Sequence, residues 1–308
     1  MNCRKTKRVL VLYYSQSGQL KNVLETMLAP LERCNEILCD FREIKPQKAY
    51  PYPWSFYKFF NVFPESVYLD GCEVQEVESQ DEYDLIILGY TVWFLSPSIP
   101  VTGFLKSDQA RRLFAKTPVV TVISCRDMWL IAQEKMKSLL TDLDARLLDN
   151  VVFTDQGKSL YTFVTTPRWM LTGQKDAFWF FPKAGVCQKV IVNSSRFGNR
   201  LCAALKEDGE QGAAPLLAGL GAVNVNGKLI ATERIAHRSF LIWSKLIKKA
   251  GAPNSWQRNV VITIYAVFLL TLVLTVVPLN MLVRKSIYPF RKRALDETVI
   301  YYEQPSGK

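Results

Sequence analysis

No CxxC pair occurs anywhere in this chain of 308 residues. Its seven cysteines (Cys3, Cys34, Cys39, Cys72, Cys125, Cys187 and Cys202) form an odd, scattered set. That excludes a disulfide framework or a zinc site built on cysteine spacing, and fits reduced thiols in a cytosolic domain. Histidine is nearly missing: His237 is the single one, on the polar face of a helix, where it reads as solvated or lipid-facing. Acidic residues are few beside basic ones, 28 against 39, for a net charge of +11. Such a charge asks for an acidic partner. Zinc-finger, RRM and helix-turn-helix signatures are absent, and much of the charge lies near the C-terminus beside apolar sequence, so nucleic acid is the weaker choice. A secretory signal is also lacking. Met1 to Arg8 is basic, but the apolar run behind it is too short for a signal core. Apolar residues are plentiful at 49% of the chain, enough for a sizeable core in one large or two small domains.

The most informative stretch is Arg8-Val-Leu-Val-Leu-Tyr-Tyr-Ser-Gln-Ser-Gly-Gln-Leu20. A short apolar run reads as a buried parallel strand, breaks into Ser15-Gln16-Ser17-Gly18, and gives way to an amphipathic helix over 19–31. A hydroxyl-rich turn between strand and helix cradles phosphate, because backbone N–H groups and the helix N-terminus face the anion. The glycine spacing of a dinucleotide fingerprint and the lysine of an NTP-binding loop are both missing. A single phosphate, as in FMN, suits the loop better. The plain alternative is an ordinary Ser/Gly turn.

Strand and helix signals alternate, with strands expected at 8–14, 36–44, 84–89, 118–124 and 147–153 and helices at 19–31, 100–115, 127–143 and 191–206. This predicts an α/β, flavodoxin-like, doubly wound parallel sheet of five strands. Two aromatic-rich insertions, 46–80 and 154–190, interrupt it and suggest either a satellite core or an apolar pocket or lid. The expected division is an FMN-binding domain over 1–207, a linker and basic amphipathic helix over 208–257, and a hydrophobic membrane segment with basic tail over 258–308.

Within 231–250, Ile235, Ala236, Phe240, Ile242, Trp243, Leu246 and Ile247 share one helical face and Arg234, His237, Arg238, Lys245, Lys248 and Lys249 the other. This is either an interfacial membrane helix or a helix packed on the protein. Val260 to Val283 carries no charge and is long enough to cross the ~30 Å hydrocarbon core. Arg258 flanks it on one side and Arg284, Lys285, Arg291, Lys292 and Arg293 on the other. A cytoplasmic domain and a basic far flank are both accommodated if the segment turns back at Pro278-Leu279-Asn280, placing the protein on the cytoplasmic face of an inner membrane with lipid as a partner. A single span is the alternative.

Two further loops follow expected strands. Tyr90-Thr91-Val92-Trp93-Phe94 precedes Ser96-Pro97-Ser98-Ile99-Pro100, where an aromatic such as Trp93 can stack on a flavin and loop N–H groups can bond its pyrimidine edge. Ser124-Cys125-Arg126-Asp127-Met128-Trp129 lies at the third strand end. Arg126 sits where a substrate anion would meet a flavin, and Asp127 is either a helix N-cap or a proton acceptor, with Tyr90 the other candidate. Cys125 reads as a buried small residue. The cofactor-binding set is therefore Ser15, Gln16, Ser17, Gly18, Gln19, Leu20, Thr91, Val92, Trp93, Phe94, Ser124 and Cys125. A hydroxyl residue commonly stands two positions after the loop glycine; here that place is Leu20.

Val11–Leu20, Phe59-Phe-Asn-Val-Phe-Pro-Glu-Ser66, Gly89–Pro100, Ser124–Trp129, Trp169-Met-Leu-Thr-Gly173, Phe181-Pro-Lys-Ala-Gly185 and Arg196-Phe-Gly198 together resemble the bacterial dialkylresorcinol condensing enzymes over nearly the whole chain. The resemblance implies a flavodoxin-like partner of a ketosynthase that oxidises a 2,5-dialkylcyclohexane-1,3-dione to a 2,5-dialkylresorcinol with FMN. A membrane-tethered NAD(P)H quinone reductase or electron carrier, and a non-catalytic scaffold for the ketosynthase, are the competing readings. Flavodoxin-like reductases often dimerise over the flavin, so a homodimer is one arrangement open to this chain.

Overall fold

The computed structural model describes residues 6–80 and 82–307; for Ser159 and residues 276–294 it describes the backbone only. Cys3 and most of the basic start lie outside the described residues, as do the side chains of Pro278-Leu279-Asn280 and of the basic flank 284–293.

Five strands, β1 (Lys7–Tyr13), β2 (Ile37–Glu43), β3 (Leu85–Tyr90), β4 (Pro118–Cys125) and β5 (Arg146–Thr154), form one parallel sheet in the order 2-1-3-4-5. β1, β3 and β4 are almost wholly buried because helices cover both faces, which is why they read as continuous apolar runs rather than alternating ones. The chain is thus α/β and flavodoxin-like. The order reverses between β1 and β3, and that switch point is where such sheets bind ligands, outside the carboxyl ends of the strands.

One face is covered by α1 (Gln19–Glu32), through Leu20, Val23, Leu24, Met27 and Leu28. The first insertion supplies two short helices, α2 (Phe56–Asn61) and α3 (Phe63–Val67). The helix expected over 100–115 is two, α4 (Ile99–Leu105) and α5 (Asp108–Phe114), because Ser107 starts a new helix by accepting the Ala110 N–H at 3.2 Å. α6 (Leu130–Asp142) follows β4; Trp129, not Asp127, occupies its N-cap position, and Asp127 accepts the Met128 N–H instead. The second insertion contains α7 (Ser159–Thr172). The helix expected over 191–206 again divides, into α8 (Gln188–Asn193) and α9 (Ser195–Lys206).

The C-terminal part is two helices, α10 (Ile230–Ala250) and α11 (Trp256–Glu303). α10 puts Phe240, Trp243 and Ile247 into an aromatic cluster with Phe60, Phe63 and Tyr265, while Ile235, Ile242 and Leu246 stay exposed. Its apolar face therefore serves both alternatives, part packed and part open. α11 contains the one stretch, Trp256–Thr275, that among the described residues is long and apolar enough to cross a membrane. Its backbone is helical through 278–280, so a change of direction there is a bend within the helix rather than a loop.

Candidate functional site

The loop after β1 leaves a group of backbone donors open. Gly18 takes a left-handed conformation (φ 80°) that a side chain would strain, and the space where a Cβ would stand is open. Among the described residues, the N–H groups of Ser17, Gly18, Gln19 and Leu20 meet no acceptor, whereas Lys21 N–H is taken by Ser15 Oγ at 3.2 Å. Four free donors stand at the start of a 14-residue helix, the kind of place where a helix N-terminus can accept an oxyanion. Leu20 points the other way, fully buried under the sheet, so this loop offers the anion backbone rather than a third hydroxyl.

Two glutamines fasten that loop to both insertions. Gln16 Nε2 donates to Pro51 O at 2.9 Å, leaving its buried Oε1 without a partner. Gln19 Nε2 donates to Ser124 Oγ at 3.0 Å, and its Oε1 accepts Val186 N–H at 2.9 Å. A Cβ on Gly185 would lie 2.2 Å from Gln19 Oε1, which explains a glycine there. Asp155 closes the same corner: its carboxylate accepts Gly157 N–H and Gly185 N–H, both at 2.7 Å, and its own N–H reaches Cys125 O at 3.1 Å.

The loop after β3 is a tight hairpin in which Val92 and Trp93 pair with Pro97 and Ser96. Phe94 (φ 49°) and Leu95 (φ 58°) are both left-handed without being glycine, a turn that costs roughly 1–2 kcal/mol per residue and persists only under strong packing. That packing is aromatic: Phe94 lies 5.0 Å from Phe59 and 4.9 Å from Phe63 between ring centres. Trp93 is buried edge-on against Tyr14, Tyr50 and Trp54 at 5.2–5.9 Å, so the protein itself surrounds its ring. Thr91 Oγ1, buried without a partner, is the hairpin's unspent polar atom.

Tyr90 is fully enclosed. Its hydroxyl donates to Gln133 Oε1 at 2.6 Å, Gln133 Nε2 donates on to Thr121, and burial raises the phenol well above its usual range. This chain of bonds lies within the core, away from the loop surface.

The loop after β4 holds an unusual cation. Arg126 is half-buried, yet among the described residues no carboxylate comes within ion-pair distance of it. Its guanidinium lies 4.3 Å over the Phe163 ring and donates weakly to Thr162 Oγ1 (3.4 Å) and Met128 Sδ (3.6 Å). Burial pulls it below the ordinary arginine value. Asp127 beside it is pushed up, again by burial, as is the Cys125 thiol. Asp127, Asp155, Lys158, Arg196 and Asn226 face a polar cleft of about 770 Å³ along β5.

Glu233 did not stand out in the sequence. It projects from α10, is 1% exposed, and accepts Ile131 N–H at 2.7 Å, capping α6 directly behind the Arg126-Asp127 loop. Burial raises its carboxyl to about 7. Its only sequence signal is an acid among the basic residues of an amphipathic helix, a pattern shared with ordinary solvated faces.

No family model matches the chain, and no curated protein does. Among solved structures it is similar to a flavoprotein from Lactobacillus acidophilus in complex with FMN, at 20% identity over 47% of this chain and 93% of that one, with a TM-score of 0.39. A WrbA-like flavodoxin from Agrobacterium tumefaciens matches at 10% identity over 66% and 99% of the two chains (TM-score 0.36). RosB with a bound 8-demethyl-8-formylriboflavin-5'-phosphate matches at 10% over 65% and 81% (TM-score 0.33).

Proposed function

We propose that the chain binds FMN at the β1 loop and oxidises a lipophilic 2,5-dialkylcyclohexane-1,3-dione to the 2,5-dialkylresorcinol. The open N–H cradle around Gly18 fits one phosphate, and the unspent Thr91 hydroxyl lies on the second loop that the cofactor would border. When bound, FMN supplies a hydride acceptor.

The observation that carries the reading is Arg126, a half-buried guanidinium that, among the described residues, has no carboxylate within ion-pair distance, at the third loop of the same edge. A cyclic 1,3-dione is acidic and binds as its enolate, which Arg126 holds through charge-assisted hydrogen bonds. Aromatisation removes two hydrogens from the ring, one as hydride and one as a proton. Asp127, adjacent and with its carboxyl pushed above the usual carboxylate range by burial, takes the proton next to the carbonyl. Loss of both leaves a diene that tautomerises to the resorcinol. The aromatic second insertion, with Trp179 and Phe180 exposed, offers the alkyl chains an apolar surface. The exposed apolar row on α11 supports attachment to a membrane that would also hold such a substrate. A ketosynthase as supplier of the dione rests on the sequence resemblance.

The test is the visible spectrum of the purified protein, followed by anaerobic addition of a dialkylcyclohexanedione. Bound FMN that bleaches with release of resorcinol is the expected result, and Arg126→Ala should keep the flavin while turnover falls by about a hundredfold. A colourless protein after soaking with FMN, or rapid NAD(P)H oxidation by soluble quinones with no bleaching by the dione, overturns the reading.

A further inference from the structure

Both ends of α11 are held by the same domain. Near its start, Arg258, 1% exposed, donates to both Glu65 carboxylate oxygens (2.7 and 2.9 Å), and Tyr265 stacks on Phe63 at 4.8 Å. Near its end, Tyr301 donates to Glu134 at 3.0 Å, Tyr302 is buried in the main core, and Val299 packs beside Gly227. The two anchors are linked through the protein, because Lys135, next to Glu134, donates to Val67 O at 2.9 Å, two residues from Glu65. On standard bond lengths this path, fully stretched, is at most about 50 Å. A straight helix from Arg258 to Tyr301 would measure ~64 Å. Gentle curvature shortens that by only a few ångströms, so the helix bends sharply between its anchors, and Pro278 and Pro289 lie in the interval. From Arg258 to Leu269, moreover, one side of the helix is applied to the domain through Ile262 and Tyr265. That packed length is not free to cross a bilayer.

The other side of this segment is apolar and uncovered: Val260, Ile264, Val267, Leu270 and Leu274 are each at least half exposed. A soluble monomer rarely leaves such a row open. α10 repeats the pattern with Ile235, Ile242 and Leu246, beside which Arg234, Arg238, Lys245 and Lys249 are exposed and, among the described residues, have no ion-pair partner.

The geometry points to in-plane docking: α10 and the first part of α11 lie on an anionic lipid surface from one side, with both ends of α11 returning to the domain and no segment crossing. This rests on the membrane reading above and specifies its topology and lipid chemistry. Apolar side chains enter the acyl boundary and unpaired arginines and lysines meet phosphate headgroups, so attachment depends on both.

The full chain with a C-terminal epitope tag, in inverted membrane vesicles from the expressing host, should lose the tag to protease added outside, together with the flavodoxin-like domain. Purified protein should float with phosphatidylglycerol vesicles and much less with phosphatidylcholine, and flotation should weaken at high salt. Ile242→Asp with Leu246→Asp, both at exposed positions, should lower vesicle partitioning by about tenfold or more while the unfolding midpoint holds. A tag protected from protease leaves membrane attachment standing but defeats in-plane docking in favour of a span. Flotation by the double variant equal to the parent defeats the assignment of α10. A parent that never floats, is soluble without detergent, and forms a dimer broken by the same substitutions defeats the membrane reading itself and makes the row a contact between copies.

Discussion

The two insertions have nearly the same aromatic richness and opposite fates. In 46–80, Phe63 is buried and Phe60 partly so because α10 and α11 close over them, and Trp54 is buried with Tyr50 against Trp93, while Phe56, Tyr57 and Tyr68 stay exposed. In 154–190, Trp169 is buried, but Trp179 is 92% and Phe180 69% exposed at the tip of a small hairpin. Aromatic composition does not distinguish a core from a lid. The deciding factor is a later element that covers the rings. The first insertion is therefore chiefly the satellite core weighed for both, and the second retains the character of a pocket wall or lid.

Substitutions can break that comparison. Phe63→Ala, which removes a fully buried ring stacked on Tyr265, should cost about 3–5 kcal/mol of stability by urea unfolding. A cost under 1 kcal/mol would mean that the first insertion is no core. The helix covering that insertion also carries a pH dependence. Glu233 has its folded pKa raised by burial to about 7 from 4.5, so the native state holds a proton that the unfolded state releases. Its effect runs opposite to an ordinary ion-paired acid: stability is lost as pH rises from about 4.5 through 7, by at most about 3 kcal/mol. Asp149, raised to about 6 by burial, adds in the same direction. Unfolding midpoints at pH 5 and pH 8 measure the slope, and Glu233→Gln should flatten it. Gln19→Ala, losing one hydrogen bond to Ser124 at the end of β4 and one to Val186 on the second insertion, should cost about 1–3 kcal/mol and speed proteolysis of 154–190 ahead of 46–80. Smallest of all, Trp179→Ala with Phe180→Ala should change stability by no more than about 0.5 kcal/mol. If that pair destabilises as much as Phe63→Ala, the two insertions are alike after all.

The sheet was legible because buried parallel strands announce themselves as short apolar runs: each of the five observed strands lies within two residues of its expected bounds. Helix interruptions at Ser107 and Ser194 were less visible, since a cap within an amphipathic pattern hardly disturbs the period. α2, α3 and α7 were missed inside the insertions, where rings on every side hide the helical repeat. Of the candidate site, the three loops could be placed from chain order. The fates of individual side chains could not. Tyr90 and Trp93 face inward because the residues that enclose them, Gln133 and Trp54, come from elsewhere in the chain. Arg126 was singled out by position; that no carboxylate among the described residues pairs with it is a fact of three dimensions.

Gln16 and Gln19 stand three positions apart, yet one holds Pro51 and the other Val186, 135 residues further along the chain. The short loop between β1 and α1 is thus a shared hinge pin for two surface segments that differ in almost every other respect. Any anion that stiffens its N–H groups restrains both segments at once, so protection from protease at 46–80 and at 154–190 should rise together as the loop fills, with a single half-saturation concentration.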